Sequence, residues 1–188
     1  MSRAPRPPLP GRKADETRIA EMIRVDHAGE YGAVAIYEGQ LAVFGKIPSK
    51  VRIANQLRHM AEDEQAHLDA FDGFIRTRGV RPTALMPVWK IAGRTLGVAT
   101  ALMGEKAAHA CTEAVETVIE GHYTDQIAEL EVSGETDLAK TFTTFRDEEV
   151  AHKNLAVDEG AKEAFGYPLL SRLIEAGCRT AIGLTTKI

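Results

Sequence analysis

The sequence predicts an all-α fold, a bundle of four long helices in one domain. Apolar residues recur at alternating spacings of three and four through four long stretches, the period of a helix with one buried face. Only 6% of the residues are aromatic, and runs of β-branched residues bounded by turns are nearly absent, so strands are not favoured. Short corners join these stretches in two pairs, as expected for antiparallel neighbours in a bundle. The 188 residues suffice for one substantial core.

The first pair of helices is expected within residues 15–77. The first helix spans 15–44, and the segment "KIPSK" forms the corner, where Pro48 suits a first helical turn. The second helix continues to about residue 76, and "TRGVRPTALMP" is expected to be a loop. Residues 1–13 are basic and rich in proline, without the apolar stretch of a signal peptide, and are predicted to form a disordered tail.

The second pair of helices is expected within residues 105–163. Its first helix spans 105–132, Gly134 fits a C-terminal cap, and Thr136 or Asp137 fits the N-cap of the next helix. One or two amphipathic helices, at 85–104 and 168–183, are added to the bundle. Residues 14–188 as a whole are therefore predicted to form a single domain.

A glutamate interrupts the apolar face of each of the four predicted bundle helices. In two of the helices a histidine follows the glutamate by three residues, on the same face. The six residues concerned are Glu30, Glu64, His67, Glu116, Glu149 and His152. A buried carboxylate costs several kcal/mol unless it is paired or binds a cation, so these positions need an explanation.

The spacing of these residues shows that the chain repeats one unit. Glu30 precedes Glu64 by 34 residues, Glu116 precedes Glu149 by 33, and the whole pattern recurs after 85 or 86 residues. Because each pair of helices is antiparallel with a corner midway, four carboxylates and two imidazoles should converge in the core. Two divalent cations would neutralise the four negative charges of the carboxylates. Mixed oxygen and nitrogen ligands suit iron or manganese rather than calcium, and the lack of thiolates argues against structural zinc.

Bulk properties exclude some other functions. A net charge of −4 and a pI near 5.9 argue against a general nucleic-acid partner. Cys111 and Cys178 have no metal-finger spacing and are expected to be free thiols in a reducing compartment. His27, His59 and His109 are expected to be structural or surface histidines.

Three segments of the sequence carry a resemblance to a known family. They are "RVDHAGEYGA" around Glu30, "ACTEAVETVIEGHYTDQI" around Glu116 and "FRDEEVAHKN" around Glu149. The pattern of a glutamate from each of two helices and Glu-x-x-His from two others is that of ferritin-like di-iron carboxylate proteins. Within this class the segments resemble the demethoxyubiquinone hydroxylases of ubiquinone biosynthesis. The resemblance runs from about Thr17 over nearly the whole chain.

The resemblance implies a set of ligands and a reaction. Glu64 and Glu149 would bridge two iron ions, Glu30 with His67 would complete one iron, and Glu116 with His152 the other. O2 would be the co-substrate, NADH or the quinol itself the reductant, and a polyprenyl demethoxyubiquinol the substrate that is hydroxylated. The "HY" pair, His122 and Tyr123, is a candidate for proton or electron delivery. Asp26 could orient a ligand histidine from outside the metal centre.

The segment 85–104, "LMPVWKIAGRTLGVATALMG", is the most apolar in the chain. Lys90 and Arg94 would each cost about 2.5–3.5 kcal/mol at a bilayer centre, which disfavours a spanning helix. Val88, Trp89, Ile91, Leu96, Val98 and Leu102 cover one face, and Lys90, Arg94, Gly97 and Ala101 share the other. The split predicts a helix at the membrane surface, with Trp89, Ile91 and Leu96 in lipid and the two cations toward headgroups. The alternative is packing onto the bundle or onto another subunit.

A polyprenyl substrate would place the protein peripherally on a membrane. The expected location is the cytoplasmic face of the bacterial inner membrane, or the matrix side of the mitochondrial inner membrane if the protein is organellar. A homodimer and a lipid-binding or other ubiquinone-biosynthesis partner protein are further expectations. Two other functions are alternatives: a ferritin-like protein that stores iron or scavenges peroxide, and a non-catalytic helical scaffold that holds no metal.

Overall fold

The protein is an α-helical bundle with two added helices. The computed structural model describes residues 14–188, and the predicted tail at 1–13 lies outside this range. Its helices are α1 (Ala14–Phe44), α2 (Val51–Thr77), α3 (Met86–Leu102), α4 (Glu105–Ser133), α5 (Thr136–Asp158) and α6 (Tyr167–Thr185). Short 3₁₀ helices lie at Pro48–Lys50 and Ala161–Glu163, and residues 14–188 contain no strand. The predicted all-α fold is confirmed, with every long helix within a few residues of its expected bounds.

Helices α1, α2, α4 and α5 form the bundle, and its core has two apolar parts. One part joins aromatic and branched side chains of all four helices, among them Ile23, Phe71 and Phe142. The other part lies toward the opposite end of the bundle and includes Phe44 and Leu57. Along each bundle helix, the glutamates and histidines of the repeat lie between the residues of these two apolar parts. The six polar side chains are therefore enclosed by apolar side chains toward both ends of the bundle.

The corners of the bundle are largely as predicted. Pro48 begins a 3₁₀ turn that leads into α2, and Gly134 ends α4 in the left-handed region at φ 78°. The N-cap prediction is wrong, because Thr136 is already the first residue of α5 and no side chain caps this helix. The Thr136 hydroxyl lies instead 3.5 Å from the carbonyl oxygen of Gly134. Because Gly134 ends α4 in a tight left-handed turn, only Glu135 separates it from the first residue of α5.

The backbones of α3 and α1 are in direct contact at glycine positions. Gly93 and Gly97 of α3 are buried against α1, and a Cβ atom at Gly97 would lie 2.0 Å from the carbonyl oxygen of Ile36. At Gly39 of α1, a Cβ would lie 2.4 Å from the carbonyl oxygen of Arg94. Only glycines allow this approach, which fixes α3 along the bundle. The alternative of packing onto the bundle therefore holds for this face of α3.

Contact of α3 side chains with lipid stays a prediction, and the structure gives several of these side chains contacts within the protein. The indole Nε1 of Trp89 donates a hydrogen bond to Thr185 Oγ1 of α6 at 3.0 Å, and Trp89 and Leu96 line a cavity inside the protein. Lys90 lies over the ring of Tyr31, 5.6 Å from its centroid, and Arg94 bonds Glu38 of α1 at 3.2 Å. Trp89 and Leu96 are half-buried, and both line the apolar cavity that lies between α3 and α6.

Large apolar side chains nevertheless remain exposed on both added helices. They are Val88, Ile91 and Leu102 of α3 and Leu169, Leu173 and Leu184 of α6. On its other side, α6 packs through Ile174 and Leu170 onto a cluster of α4 that includes buried Cys111, while Cys178 is half-buried; both cysteines are free. No helix within residues 14–188 is long and apolar enough to cross a membrane.

Candidate metal centre

The six glutamates and histidines of the repeat come together in the middle of the bundle. Their potential ligand atoms form two overlapping groups, within each of which all atoms lie within 4.8 Å of one another. One group contains Glu30, Glu64, His67 and Glu149, and the other contains Glu64, Glu116, Glu149 and His152. All six are buried. The two groups share Glu64 and Glu149, which is the arrangement expected for two cations with two carboxylates between them.

The helices position these side chains through simple periodicity. Each Glu-x-x-His places its two side chains one turn apart on the inward face of α2 or α5, and α1 and α4 each add one glutamate from across the bundle. Both imidazoles turn Nδ1 toward the centre. His67 Nδ1 lies 3.1 Å from Glu149 Oε1, and His152 Nδ1 lies 3.3 Å from Glu149 Oε2.

Burial makes the charges of this cluster costly. Burial, reinforced by the neighbouring carboxylate of Glu149, raises the pKa of both Glu64 and Glu116 well above its usual value. Burial also opposes ionisation of Glu149, but hydrogen bonds from His152 and His67 lower its pKa to about 2. Against the effect of burial, hydrogen bonds with carboxylates raise the pKa of His67 to about 12 and of His152 to about 9. By themselves, these groups must retain protons to remain buried together.

The donor set fits divalent cations. Glu64 Oε1 is buried at the centre without a hydrogen-bond partner. Such atoms are costly unless something binds them, and a cation would take the place of the retained protons. Carboxylate oxygens with one imidazole nitrogen per group suit iron or manganese. The arrangement can therefore hold two metal ions that share Glu64 and Glu149.

The structure also places the other residues that the sequence singled out. The Tyr123 hydroxyl donates to Glu30 Oε1 at 2.5 Å, and His122 Nε2 lies 3.0 Å from Asp26 Oδ1. The prediction that Asp26 orients a ligand histidine is wrong, because the same Oδ1 accepts from Gln126 and His122, one turn apart on α4. Asp26 faces α4, whereas the ligand histidines lie on α2 and α5.

The remaining histidines lie where structural or surface residues were expected. His27 is buried and its Nε2 lies 2.9 Å from Asp72 Oδ1. His109 is buried in α4, and His59 is exposed on α2, where it pairs with Asp63. Neither group of metal-binding atoms includes any of these three.

Sequence reasoning missed three residues that contact the candidate ligands. The Tyr37 hydroxyl donates to Glu116 Oε1 at 3.1 Å. Glu148 Oε2 lies 2.6 Å from His67 Nε2, and Asp63 Oδ2 lies 3.1 Å from His152 Nε2. The signal is present in the repeat. Tyr37 and Tyr123 are 86 residues apart and Asp63 and Glu148 are 85 apart, the same offsets as the glutamates.

An apolar cavity leads to the centre. It has a volume of about 590 Å³ and lies between α1, α3, α4 and α6. A smaller pocket of about 40 Å³ adjoins the carboxylates of Glu30, Glu64, Glu116 and Glu149. Six residues line both spaces: Val25, Gly29, Ala33, Val115, Ile119 and Ile182. The added helices thus form the outer walls of an apolar cavity that is separated from the candidate ligands only by the small pocket beside them.

The all-α fold and the buried cluster of carboxylates and imidazoles together fit the ferritin-like class of di-metal carboxylate proteins. Comparison with known families is more specific: the model of the family described as ubiquinone biosynthesis protein COQ7 matches residues 17–185. The chain belongs to this family. The motifs around Glu30, Glu116 and Glu149 indicate the same family.

Individual relatives agree with this assignment. The chain is similar to 3-demethoxyubiquinol 3-hydroxylase of Rhodospirillum rubrum, with 46% identity over 180 residues that cover 96% of this chain and 83% of the relative. It is also similar to proteins named NADPH-dependent 3-demethoxyubiquinone 3-hydroxylase, mitochondrial. The one from Dictyostelium discoideum is 44% identical, covering 90% of this chain and 77% of the relative, and the human one is 42% identical, covering 90% and 78%.

Proposed function

We propose that this protein is a di-iron monooxygenase that hydroxylates the ring of a demethoxyubiquinol in ubiquinone biosynthesis. The observation that carries the proposal is the apolar cavity of about 590 Å³, which shares six wall residues with the small pocket beside two overlapping groups of potential metal ligands. Family membership and the names of the relatives give the substrate class. An iron-storing protein would have no use for an apolar chamber beside its metal ligands.

Each part of the proposed centre has a defined task. Glu30 and His67 would complete one iron, Glu116 and His152 the other, and Glu64 and Glu149 would bridge them. The bound irons would supply the activation of O2, with one oxygen atom going to the ring and the other to water. The protein's own contribution is to hold the ligands apart from bulk water in a site of mostly apolar walls.

The two spaces suggest separate places for the two substrates. The pocket of about 40 Å³ beside the carboxylates has room for a few water-sized molecules, which suits O2 but not a quinol ring. The ring would lie in the larger cavity against the shared wall formed by Ala33, Ile119 and Ile182. The isoprenoid tail would extend outward between α3 and α6, whose side chains there are apolar.

Proton and electron supply involve residues beside this chamber. Tyr123 bonds Glu30, and His122 on the same helix is partly exposed and contacts Asp26, so the pair extends from the centre toward the surface. This geometry supports proton delivery by His122 and Tyr123. Some relatives are named NADPH-dependent, which supports a nicotinamide nucleotide as reductant, and the quinol substrate is the other candidate.

The exposed apolar residues of α3 and α6 support peripheral binding to the membrane in which such a substrate dissolves. Ile91 is 69% exposed, and Leu173 is 63% exposed and also lines the cavity, so the rim of the chamber itself is apolar. Placing this rim on a bilayer would bury apolar area, which stabilises the contact by about 25 cal/mol per Å². The membrane would be the bacterial inner membrane or, if the protein is organellar, the mitochondrial inner membrane; some relatives are named mitochondrial. A lipid-binding partner protein or a second copy of the chain could cover the same rim.

The direct test uses labelled oxygen. The protein is loaded with two equivalents of Fe(II) without air, and then given ¹⁸O2, a reductant and a short-tailed demethoxyubiquinol. We expect one ¹⁸O atom in the ring hydroxyl, detected by mass spectrometry. Oxidation of iron or consumption of peroxide without hydroxylated quinol would favour the iron-storage or peroxide-scavenging alternative.

A substitution in the shared wall tests the role of the cavity. Ala33→Phe should fill the space between the two pockets and lower kcat/KM by about 10- to 100-fold, since misplacement of a substrate by about 1 Å can cost a hundredfold. Both iron ions should stay bound. The matched control is Ala42→Phe, at an exposed position of the same helix, which should hydroxylate normally. Normal turnover by the Ala33→Phe protein would place the substrate elsewhere.

A further inference from the structure

We propose that four side chains outside the six ligands, Tyr37, Asp63, Tyr123 and Glu148, position those ligands from the opposite half of the internal repeat. Each half of the chain would thereby hold the two terminal ligands of the other half, which are Glu30 and His67 or Glu116 and His152. The inference rests on the proposed metal centre. It adds positioning residues to that centre and assigns two of them to each metal ion.

The first contacts are a reciprocal pair of tyrosines. Tyr37 of α1 donates to Glu116 of α4 at 3.1 Å, and Tyr123 of α4 donates to Glu30 of α1 at 2.5 Å. Each tyrosine follows the glutamate of its own helix by seven residues, two helical turns, and thus lies on the same face. Both tyrosines are 1% exposed. A buried hydroxyl that has a carboxylate as partner can hold that carboxylate in one orientation.

The second contacts are a reciprocal pair of carboxylates. Glu148 of α5 accepts a hydrogen bond from Nε2 of His67 on α2 at 2.6 Å. Asp63 of α2 accepts from Nε2 of His152 on α5 at 3.1 Å. Because Nε2 is the donor in each case, Nδ1 is left as the nitrogen that faces the centre. A carboxylate on the outer nitrogen fixes both the tautomer and the ring orientation of a ligand histidine.

The four contacts occur at equivalent positions of the two halves, and each one joins a residue of one half to a ligand of the other half. Tyr37 and Asp63, from the first half, contact Glu116 and His152, the terminal ligands of the second iron. Tyr123 and Glu148, from the second half, contact Glu30 and His67, the terminal ligands of the first iron. The offsets of 86 and 85 residues between the paired positions equal those between the ligands. Chance contacts beside a buried cluster would not share both the offset and the crossing.

The crossing makes a prediction that a general structural role does not. Loss of Tyr37 or Asp63 should weaken only the ion held by Glu116 and His152. Loss of Tyr123 should weaken only the ion held by Glu30 and His67. Removal of an outer partner typically lowers metal affinity by about 10- to 100-fold. A residue that served only proton or electron delivery would lower turnover and leave both affinities unchanged.

Titration of the metal-free protein with Co²⁺ tests this prediction, by calorimetry and by the visible absorption of the bound ion. In a Glu116→Ala background, which retains one intact ligand group, Tyr123→Phe should weaken the remaining ion about 10-fold, and Tyr37→Phe should have no effect. In a Glu30→Ala background the two outcomes should be exchanged. Asp63→Ala should behave as Tyr37→Phe, and Asp63→Asn, which keeps an acceptor oxygen, should restore part of the affinity.

Two controls separate the possible failures. Tyr31→Phe changes a tyrosine of α1 whose ring lies under Lys90, and it should bind both ions as the wild type does. Wild-type protein that binds fewer than two Co²⁺ ions would overturn the proposed centre itself. Two tight ions in the wild type, with equal losses in both backgrounds or none, would overturn only the crossed arrangement. Thermal unfolding of each metal-free variant shows whether a loss arises from the fold.

Discussion

The four bundle helices and the two added helices are held in place by different contacts. The bundle encloses buried carboxylates and imidazoles between two apolar parts of the core. Helix α3 is fixed by glycine backbone against α1, whereas α6 rests on α4 through apolar side chains and contacts α3 through Trp89. Both added helices expose large apolar side chains, among them Ile91 and Leu173.

This difference places the candidate metal ligands on one set of helices and the outer walls of the substrate cavity on the other. All six candidate ligands lie on the bundle helices, and the outer walls of the apolar cavity come from the added ones. A change in the bundle centre should therefore remove metal and activity together. A change in α3 or α6 should alter the cavity or its surroundings and leave the metal in place.

The largest effect is expected for Glu149→Ala. Glu149 belongs to both groups of potential ligands and accepts contacts from both histidines, so its loss affects both ions. Bound iron should fall from about two ions per chain to less than one. Hydroxylation should fall by more than about a hundredfold, since even the outer partners of ligands are worth 10- to 100-fold. Glu131→Ala, at an exposed carboxylate of α4, is the control, and full iron content in the Glu149→Ala protein would remove α5 from the centre.

A smaller effect is expected for Gly97→Ala in α3. The new methyl group would lie 2.0 Å from the Ile36 carbonyl oxygen, so the helix must shift away from α1. Overpacking of this kind costs about 1–3 kcal/mol of unfolding free energy. Activity should fall because α3 forms a cavity wall, while iron content should remain near that of the wild type. Thermal or denaturant unfolding and metal analysis measure the two effects.

Gly73→Ala is the matched control for the glycine prediction. Gly73 lies inside α2, and a Cβ there would have no neighbour within 4 Å. The substitution should stabilise the protein by about 0.5–1 kcal/mol through helix propensity. Loss of iron in the Gly97→Ala protein would show that the added helix and the centre are coupled, contrary to the expectation that a change in α3 leaves the metal in place.

Sequence patterns predict the bundle well because its buried residues recur with the period of an α-helix. The corner residues Pro48 and Gly134 act locally, and the offset of 85 or 86 residues is enough by itself to align the two halves of the chain. Placement of Asp26 failed because a one-dimensional pattern does not show which neighbouring helix a side chain faces. The N-cap after Gly134 failed because the left-handed turn left Glu135 alone between the two helices.

The added helices are harder to predict for a related reason. Charge and apolarity divide the faces of α3, but the side that packs on α1 is determined by Gly93 and Gly97, which carry no hydropathy signal. Trp89 and Leu96 were expected to face lipid, and the structure places both on the wall of the cavity, where Trp89 also donates a hydrogen bond to Thr185 of α6. The cavity itself depends on four helices and has no signature in any one of them.

Membrane binding gives the third prediction. Ile91 and Leu173 are exposed beside the cavity, and replacing both with aspartate removes apolar contact and adds charge. Burial of such a side chain contributes about 1.5–3 kcal/mol when complete, so partial loss at two positions should weaken vesicle binding by roughly 10- to 100-fold. Sedimentation with anionic phospholipid vesicles measures this. Val132→Asp, at a 91% exposed site at the end of α4, should bind as the wild type does, and iron content should be normal in both proteins.

The smallest effect concerns the contact between the two added helices. Trp89→Phe keeps an aromatic wall on the cavity and removes the hydrogen bond from Nε1 to Thr185 together with part of the ring. A single hydrogen bond of this kind contributes about 0.5–1.5 kcal/mol, so the unfolding free energy should fall by that amount while iron content stays unchanged.

A double-mutant cycle with Thr185→Val attributes this loss to the contact itself. Thr185 is 1% exposed and valine has nearly the same shape, so each single change leaves one polar group, buried in Thr185 or half-buried in Trp89, without its partner. The double variant should then be less destabilised than the two single variants added together, which is the sign of a direct interaction. Additive losses would show that the hydrogen bond contributes nothing to stability. In that case apolar packing of α6 on α4 would be the main contact that keeps α6 over the cavity.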